Sequence, residues 1–172
     1  STKSYQEKDL SGINLRGNDL SGWDFSGQNL TSAKFYSATL KDTNFKNATV
    51  KGTDFGYTVS KGFTEEQLKS TKSYQEKDLS GISLRGNDLS GWNFSGLNLT
   101  SAKFNNATLS DTNFTNADLT SVDFQSATLT GTNLTGADLR DANFYLATLT
   151  DTNFTNAIVR SATFFEAVSK GF

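Results

Sequence analysis

Cysteine, histidine, methionine and proline are all missing from the 172 residues. Without them the chain has no disulfides, no thiol nucleophile, no imidazole acid or base, and none of the softer ligands that build most transition-metal sites. Bulk apolar content is also low, with hydrophobic residues at 35%, so a conventional globular core is not the obvious source of stability. Charge of one sign is lacking too: 16 Lys plus Arg face 18 Asp plus Glu, with no block of like charge. Electrostatic capture of a nucleic-acid backbone or of an anionic membrane is therefore not indicated. No apolar run approaches the ~18 residues needed to cross a bilayer, and the first residues do not show the charged-then-apolar pattern of a signal peptide.

What is present is repetition on two scales. Residues 1–12 (STKSYQEKDLSG) recur unchanged as residues 70–81, and SKGF closes two arrays, at 60–63 and 169–172. The expected organisation is a first array at 1–63, a connector at 64–72 and a longer second array at 73–172. Since the chain starts and stops inside this pattern, it reads as a piece of a longer tandem protein. The second array should begin with a cap of its own, so that two solenoid segments meet at a plugged junction.

Within each array a large apolar residue falls at every fifth position, from Leu10 to Phe55 and from Leu79 to Phe164. In the later repeats the residue two before it is small, as Ala107 before Leu109 and Ala117 before Leu119. Residues two apart share one face of an extended chain, but the three-residue step to the next small position breaks that parity, so the chain must bend once per repeat. A helix would scatter a five-residue period around its circumference and leave no apolar stripe. Thr, Asn, Asp, Ser and Gly fill the other positions and suit bends and β-bridges. A chain that bends at each repeat and stacks on itself is a solenoid.

The phrases Ala117-Asp118-Leu119-Thr120-Ser121 and Ala137-Asp138-Leu139-Arg140-Asp141 resemble the A-D/N-L-x-x consensus of the pentapeptide-repeat family, and the resemblance extends over nearly all of the chain except the connector. It implies an all-β fold: a right-handed quadrilateral β-helix with four repeats per coil, the large and the small residue pointing inward, here in two segments joined by a short capping helix. With four repeats per coil the core ladder comprises Leu109, Phe114, Leu119, Phe124, Leu129, Leu139, Phe144 and Leu149, with two opposed sides aromatic and two aliphatic. Leu99, Leu119 and Leu139 share one side, Phe104, Phe124 and Phe144 another.

The first coil of each array replaces the small residues with Lys8, Ile13, Asn18 and Trp23, and with Lys77, Ile82, Asn87 and Trp92. Bulky residues can spread over an open solenoid end, so Trp23 and Trp92 read as parts of N-terminal caps. In the connector, Thr64 has the place of a helix N-cap, Gln67 that of its capping-box partner, and Phe63 with Leu68 that of a hydrophobic staple; a short helix over 65–70 is expected, plugging the solenoid end.

Chemistry is hard to find. Asp111 and Asp151 stand two rungs apart, at ~10 Å, on one wall, but with no cleft and no apolar neighbour they read as solvated carboxylates. Asp and Asn are plentiful, yet neither the EF-hand spacing nor the Gly-rich nonapeptide pattern of calcium-binding repeats occurs. The N-x-[ST] triplets, such as Asn29-Leu30-Thr31, follow from the repeat itself. Neither a catalytic site nor a cofactor is indicated. One wall is unusually regular: Thr108, Thr128 and Thr148 flank its Leu column on one side, and Ser110, Thr130 and Thr150 on the other. Such ladders resemble the surfaces of ice-binding β-solenoids, although Thr is also a good β-former and Lys41 interrupts the equivalent wall of the first array.

Some pentapeptide-repeat proteins protect bacteria from quinolones by acting on DNA gyrase, through imitation of duplex DNA. That asks for a strongly acidic rod, whereas residues 8–55 carry net +1 and residues 77–164 net −3. The expectation is a non-enzymatic structural or interaction module for a protein partner, with ice binding as the alternative and a gyrase-type mimic behind it. The SYQEKDLSG and GNDLSGW phrases are also similar to arrays in large exported proteins of environmental bacteria, which bears on localisation alone.

Overall fold

In a computed structural model, which describes residues 3–169, the chain winds into coils of twenty residues. Parallel bridges join residues twenty apart along four columns, each column forming one wall. The first wall contains Asp9, Asn29 and Thr49, then Asp78, Asn98, Asp118, Asp138 and Ile158. The second runs from Asn14 through Lys34, Asp54, Ser83, Lys103, Asp123 and Asn143 to Thr163. The third holds Asp19 and Thr39, then Asp88, Thr108, Thr128, Thr148 and Val168; the fourth holds Asp24 and Asn44, then Asn93, Asn113, Asn133 and Asn153.

Each repeat divides its work in the same way. The residue before the large apolar one makes the bridge and faces outward. The large residue donates its amide to the next coil, as Leu109 to Thr128 O at 2.7 Å, and the residue two further on does likewise, as Asp111 to Thr130 O at 2.9 Å. A four-residue turn follows, closed by Thr112 N to Leu109 O at 3.1 Å. Its third residue has positive φ, 56° at Asp111 and 66° at Gly131, as a type II turn requires, and the repeat places Gly, Asn, Asp or Ser there in most turns. With a turn every five residues, a wall has room for only one bridged residue per coil. The described residues therefore form isolated bridges where the all-β expectation implied strands, and the remaining regular structure is helical.

The large residues fill the interior. Leu109, Phe114, Leu119, Phe124, Leu129, Leu139 and Phe144 are fully buried and Leu149 is 2% exposed. Phe124 stacks between Phe104 at 5.5 Å and Phe144 at 5.1 Å, while Phe114 from the opposite wall meets Phe104 edge-on at 5.5 Å and 80°. Two aromatic columns thus touch across the centre in the offset and edge-to-face arrangements that ring quadrupoles favour. Small residues complete the layer, and some are polar: buried Thr112, Thr132 and Thr152 donate their hydroxyls to Leu89, Leu109 and Leu129 O at 3.0, 2.6 and 2.6 Å. These bonds run along the solenoid axis and satisfy the hydroxyls in an otherwise apolar interior.

Four short helical pieces interrupt the coil: α1 (Lys3–Gln6), a 3-10 turn (Val59–Lys61), α2 (Glu65–Lys69) and α3 (Lys72–Gln75). The last three lie between the arrays. There the second wall passes straight through, with Asp54 bridged to Ser83 and Phe55 N donating to Ser83 O at 2.8 Å. The register there is 29 residues instead of twenty, and the nine extra residues are absorbed elsewhere in that coil. The 3-10 turn takes the ladder bond of Leu40 N at Lys61 O, and α3 intrudes on the first wall, where Val50 N donates to Ser73 Oγ at 2.9 Å. Bridged pairs thus run through the junction along the second wall, while the other three walls are interrupted there. The physical reason is that one intact ladder can carry a longer coil if the surplus residues bulge as helices.

Candidate interaction surfaces

The connector is tied down residue by residue. Thr64 Oγ1 accepts from Gln67 N at 3.2 Å, and Gln67 Oε1 accepts from Thr64 N at 2.8 Å. The Gln67 amide also donates to Leu40 O and Thr43 O, both at 2.8 Å, which clasps α2 to the preceding coil. Leu68 is fully buried and Phe63 nearly so; Phe63 stacks on Phe55 at 4.5 Å and so adds one more ring to an aromatic column.

The two tryptophans fare differently. Trp92 is partly buried against Phe63, 6.2 Å away, whereas Trp23 lies beside Phe25 at 6.0 Å with 52% of its surface exposed. Both helical caps are anchored by a tyrosine, with Tyr5 and Tyr74 hydroxyls donating to Asp24 O at 2.8 Å and Asn93 O at 2.7 Å. Burial raises the Tyr74 hydroxyl above its ordinary pKa of 10.0. Asn87, in the first coil of the second array, is 3% exposed and bridges the arrays. Its Oδ1 accepts from Thr58 N and Val59 N at 2.8 and 3.0 Å, and its Nδ2 donates to Phe55 O and Leu84 O at 2.9 and 3.0 Å. Its role as the polar lock of the junction was not legible, since its sequence twin Asn18 sits in the same phrase and is exposed.

The outer walls are held by their own side chains. The outward Asp or Asn of a repeat accepts from the amide two residues on, as Asn113 from Thr115 N and Asn133 from Thr135 N, both at 3.0 Å. Asp19 and Asp88 hold a serine hydroxyl as well, from Ser21 and Ser90 at 2.6 Å each, which lowers both carboxyls from their ordinary 3.8. Arg140 folds back onto Asp138 at 2.6 Å, lowering that carboxyl through the hydrogen bonds it donates.

On the third wall Thr108, Thr128 and Thr148 are consecutive rungs, half-buried, with Thr130 and Thr150 beside them. The ladder ends after three rungs, at Asp88 on one side and Val168 on the other. On the second wall a cluster spans the junction that the spacing did not suggest. Asp54 lies 3.6 Å from Arg16 Nη2 and 3.5 Å from Arg85 Nη2, and both guanidinium groups reach over the Tyr36 ring, at 5.8 and 4.6 Å. Arg16 and Arg85 hold equivalent places in the two arrays, and the 29-residue register brings them to one carboxylate. Among the described residues no group of three His, Cys, Asp or Glu side chains is arranged to hold a metal, and no helix is long and apolar enough to cross a membrane.

Coils of twenty residues, parallel single-residue bridges and a fully side-chain-filled interior define a β-helical repeat solenoid. The chain belongs to the pentapeptide-repeat family. Residues 9–47 match the family model described as pentapeptide repeats (8 copies), and residues 97–169 match the pentapeptide repeat region model. No curated protein matches the sequence significantly. Among solved structures, a pentapeptide repeat protein from the thylakoid lumen of Arabidopsis thaliana is 40% identical over 48% of this chain and 61% of its own, with a TM-score of 0.42. Rfr23 from the cyanobacterium Cyanothece is 20% identical over 98% and 95% of the two chains, with a TM-score of 0.45. HetL from the cyanobacterium Nostoc, a pentapeptide repeat protein involved in heterocyst differentiation regulation, is 20% identical over 97% and 94%, with a TM-score of 0.37. Neither the threonine ladder nor duplex mimicry gains support from these relatives.

Proposed function

We propose that this chain is a non-enzymatic interaction module, a right-handed quadrilateral β-helix whose flat outer walls are offered to a protein partner. In this reading the arrays at 1–63 and 73–172 act as one rod, and the connector at 64–72 is a structural splice. The observation that carries it is the fixing of outward side chains by their own backbone, repeated along the walls, as at Asn113 and Asn133. Groups already ordered lose little conformational freedom on binding, so a wall of this kind can recognise a partner at low entropic cost. The interior is filled by Leu and Phe, which leaves the outer walls as the surface that can meet a partner.

The test is a set of four variants, each with a photo-crosslinking residue on a different wall: at Asp138, Asp123, Thr130 and Asn133. Applied to lysate from the cells that make the protein, a discrete adduct confined to one wall, and lost when a bulky residue is placed one rung away, is the result this reading requires. The absence of an adduct from every wall would contradict it.

A further inference from the structure

We propose that the second wall, where it passes through the junction, holds a binding site for a small dianionic oxyanion: a phosphate group, free or as the monoester end of a small ligand. The site is a hollow of about 250 Å³ lined by Arg16, Asp54, Ser83, Arg85 and Lys103, together with Gly52 and Gly81. Its place follows from the 29-residue register that carries Asp54 onto Ser83. The same step sets Gly52 against Gly81, where an added Cβ would stand 3.4 Å from Gly52 Cα. Neither of these two corner residues projects a side chain, whereas the coils to either side carry Ser32 and Ser101 at that corner.

Three cationic side chains and one carboxylate line the hollow, which leaves two positive charges in excess. Lys51 and Asp78, at the adjoining corner, pair with each other and add no net charge. Asp54 does not consume the two guanidinium groups. Its Oδ2 stands 3.6 Å from Arg16 Nη2 and 3.5 Å from Arg85 Nη2, beyond the roughly 2.7–3.2 Å of an N–H···O bond. Its Oδ1 accepts from Gly56 N at 3.1 Å. The carboxylate thus draws two arginines to one place without closing off their donors, and the Tyr36 ring 4.6 Å beneath Arg85 helps to fix the plane of that guanidinium.

Two buried groups point to what the hollow takes. Ser83 is 6% exposed, and its Oγ, like Arg85 Nε, has no hydrogen-bond partner among the described residues although both residues line the hollow. Buried donors without an acceptor are costly, and an oxyanion seated between them supplies acceptors to both. Charge and shape then select the class. A carboxylate would cancel half of the excess, whereas a phosphate monoester carries about −1.5 to −2 near neutral pH and three acceptor oxygens, which guanidinium forks engage in pairs. At about 250 Å³ the hollow is smaller than the roughly 300–1,000 Å³ of pockets that enclose drug-sized ligands, so it seats the phosphate group and leaves the rest of an ester outside.

Amide chemical shifts of the isotope-labelled full chain, titrated with inorganic phosphate and separately with phenyl phosphate at about pH 8, test the site. Ionic strength is held constant with chloride, so that general screening stays fixed. Saturable shifts centred on Gly52, Gly81, Ser83 and Arg85 are expected, with half-saturation below about 10 mM. Arg85→Lys keeps the charge but loses the fork and Nε, and is expected to raise the half-saturation point about tenfold. Ser83→Ala is expected to raise it about threefold, and as the mildest change it keeps the test in force if Arg85→Lys fails to fold. Asp54→Asn removes the one carboxylate of the hollow and is expected to lower it. These opposite signs distinguish a binding site from a structural ion pair, whose loss would act alike from either partner. Saturation by both probes assigns a ligand that carries the phosphate, and saturation by inorganic phosphate alone assigns the free anion; either supports the site. No saturable shift up to about 50 mM, or shifts that Arg85→Lys and Ser83→Ala leave unchanged, would overturn it and mean an adventitious ion only.

Discussion

Asn87→Ala and Asn18→Ala are the same substitution at the same place in two copies of one phrase, and the structure assigns them very different costs. Removing the Asn87 side chain strands two amides, Thr58 N and Val59 N, at a junction where the residue is only 3% exposed. Phe55 O keeps a partner in the Thr58 hydroxyl at 2.6 Å while Leu84 O loses the Asn87 amide, so the penalty comes mainly from the two donors with a smaller share from Leu84 O. At ~1–3 kcal/mol for each buried donor left without an acceptor, Asn87→Ala should cost about 3–5 kcal/mol. For a protein of this size that lowers the thermal midpoint by roughly 10 °C. Asn18 is exposed and makes one long bond, 3.4 Å to Arg16 O, so Asn18→Ala should change stability by less than about 0.5 kcal/mol. Urea unfolding at a few micromolar protein, followed by far-ultraviolet circular dichroism, measures both. Equal costs for the two variants, or an Asn87→Ala cost below about 1 kcal/mol, would refute the account of the junction.

Leu119→Ala removes a fully buried side chain in a stack that cannot close around the gap, and should cost about 3–5 kcal/mol in the same assay; Val159→Ala, at the exposed end, should cost under about 1 kcal/mol. Gly62 has φ 93° and a Cβ there would lie 2.8 Å from Lys41 Cα, so Gly62→Ala should destabilise the connector by roughly 1–3 kcal/mol and raise hydrogen exchange in α2 before the arrays open. Acid should weaken the fold in a defined direction. Lys51 holds Asp78, Arg140 holds Asp138, and serines hold Asp19 and Asp88 below the ordinary 3.8. A carboxyl lowered in the folded state contributes stability that is complete above its unfolded value and lost as pH falls through the folded one. The urea midpoint should therefore be flat from neutral pH to about pH 5 and decline below about pH 4, and a midpoint that rises on acidification would contradict the assignment.

The repeat was legible in the sequence because its two signals, a large apolar residue every fifth position and turn-forming residues between, both act locally. Leu119 and Phe124 could be placed inside from the five-residue spacing together with the family resemblance, which supplied the four repeats per coil. Thr64 and Gln67 sit in the capping-box geometry that local hydrogen-bond chemistry describes. The junction was much less legible, since its outcome depends on a register across the stack. Nothing in SYQEKDLSG distinguishes its first occurrence, at an exposed end, from its second, against another array, so the contrast between Trp23 and Trp92, or Asn18 and Asn87, lies outside what either phrase encodes. The Arg16–Asp54–Arg85 cluster was hidden for the same reason: it needs the 29-residue offset that lets one wall pass through. The buried threonine hydroxyls along the axis went unseen because Thr, read as a small residue, carries no sign of which carbonyl it will meet.

The central claim is that the chain returns to the same wall after twenty residues, and the lack of native cysteine allows a direct test. Thr128→Cys with Thr148→Cys places two thiols on adjacent rungs, ~4.8 Å apart along the stack and within the reach of a disulfide. Under mild oxidation this pair should crosslink nearly completely, whereas Cys at Thr128 with Cys at Asn133 or at Asp138, on other walls, should not. Crosslinking at five or ten residues' separation, or none at twenty, would contradict the coil itself.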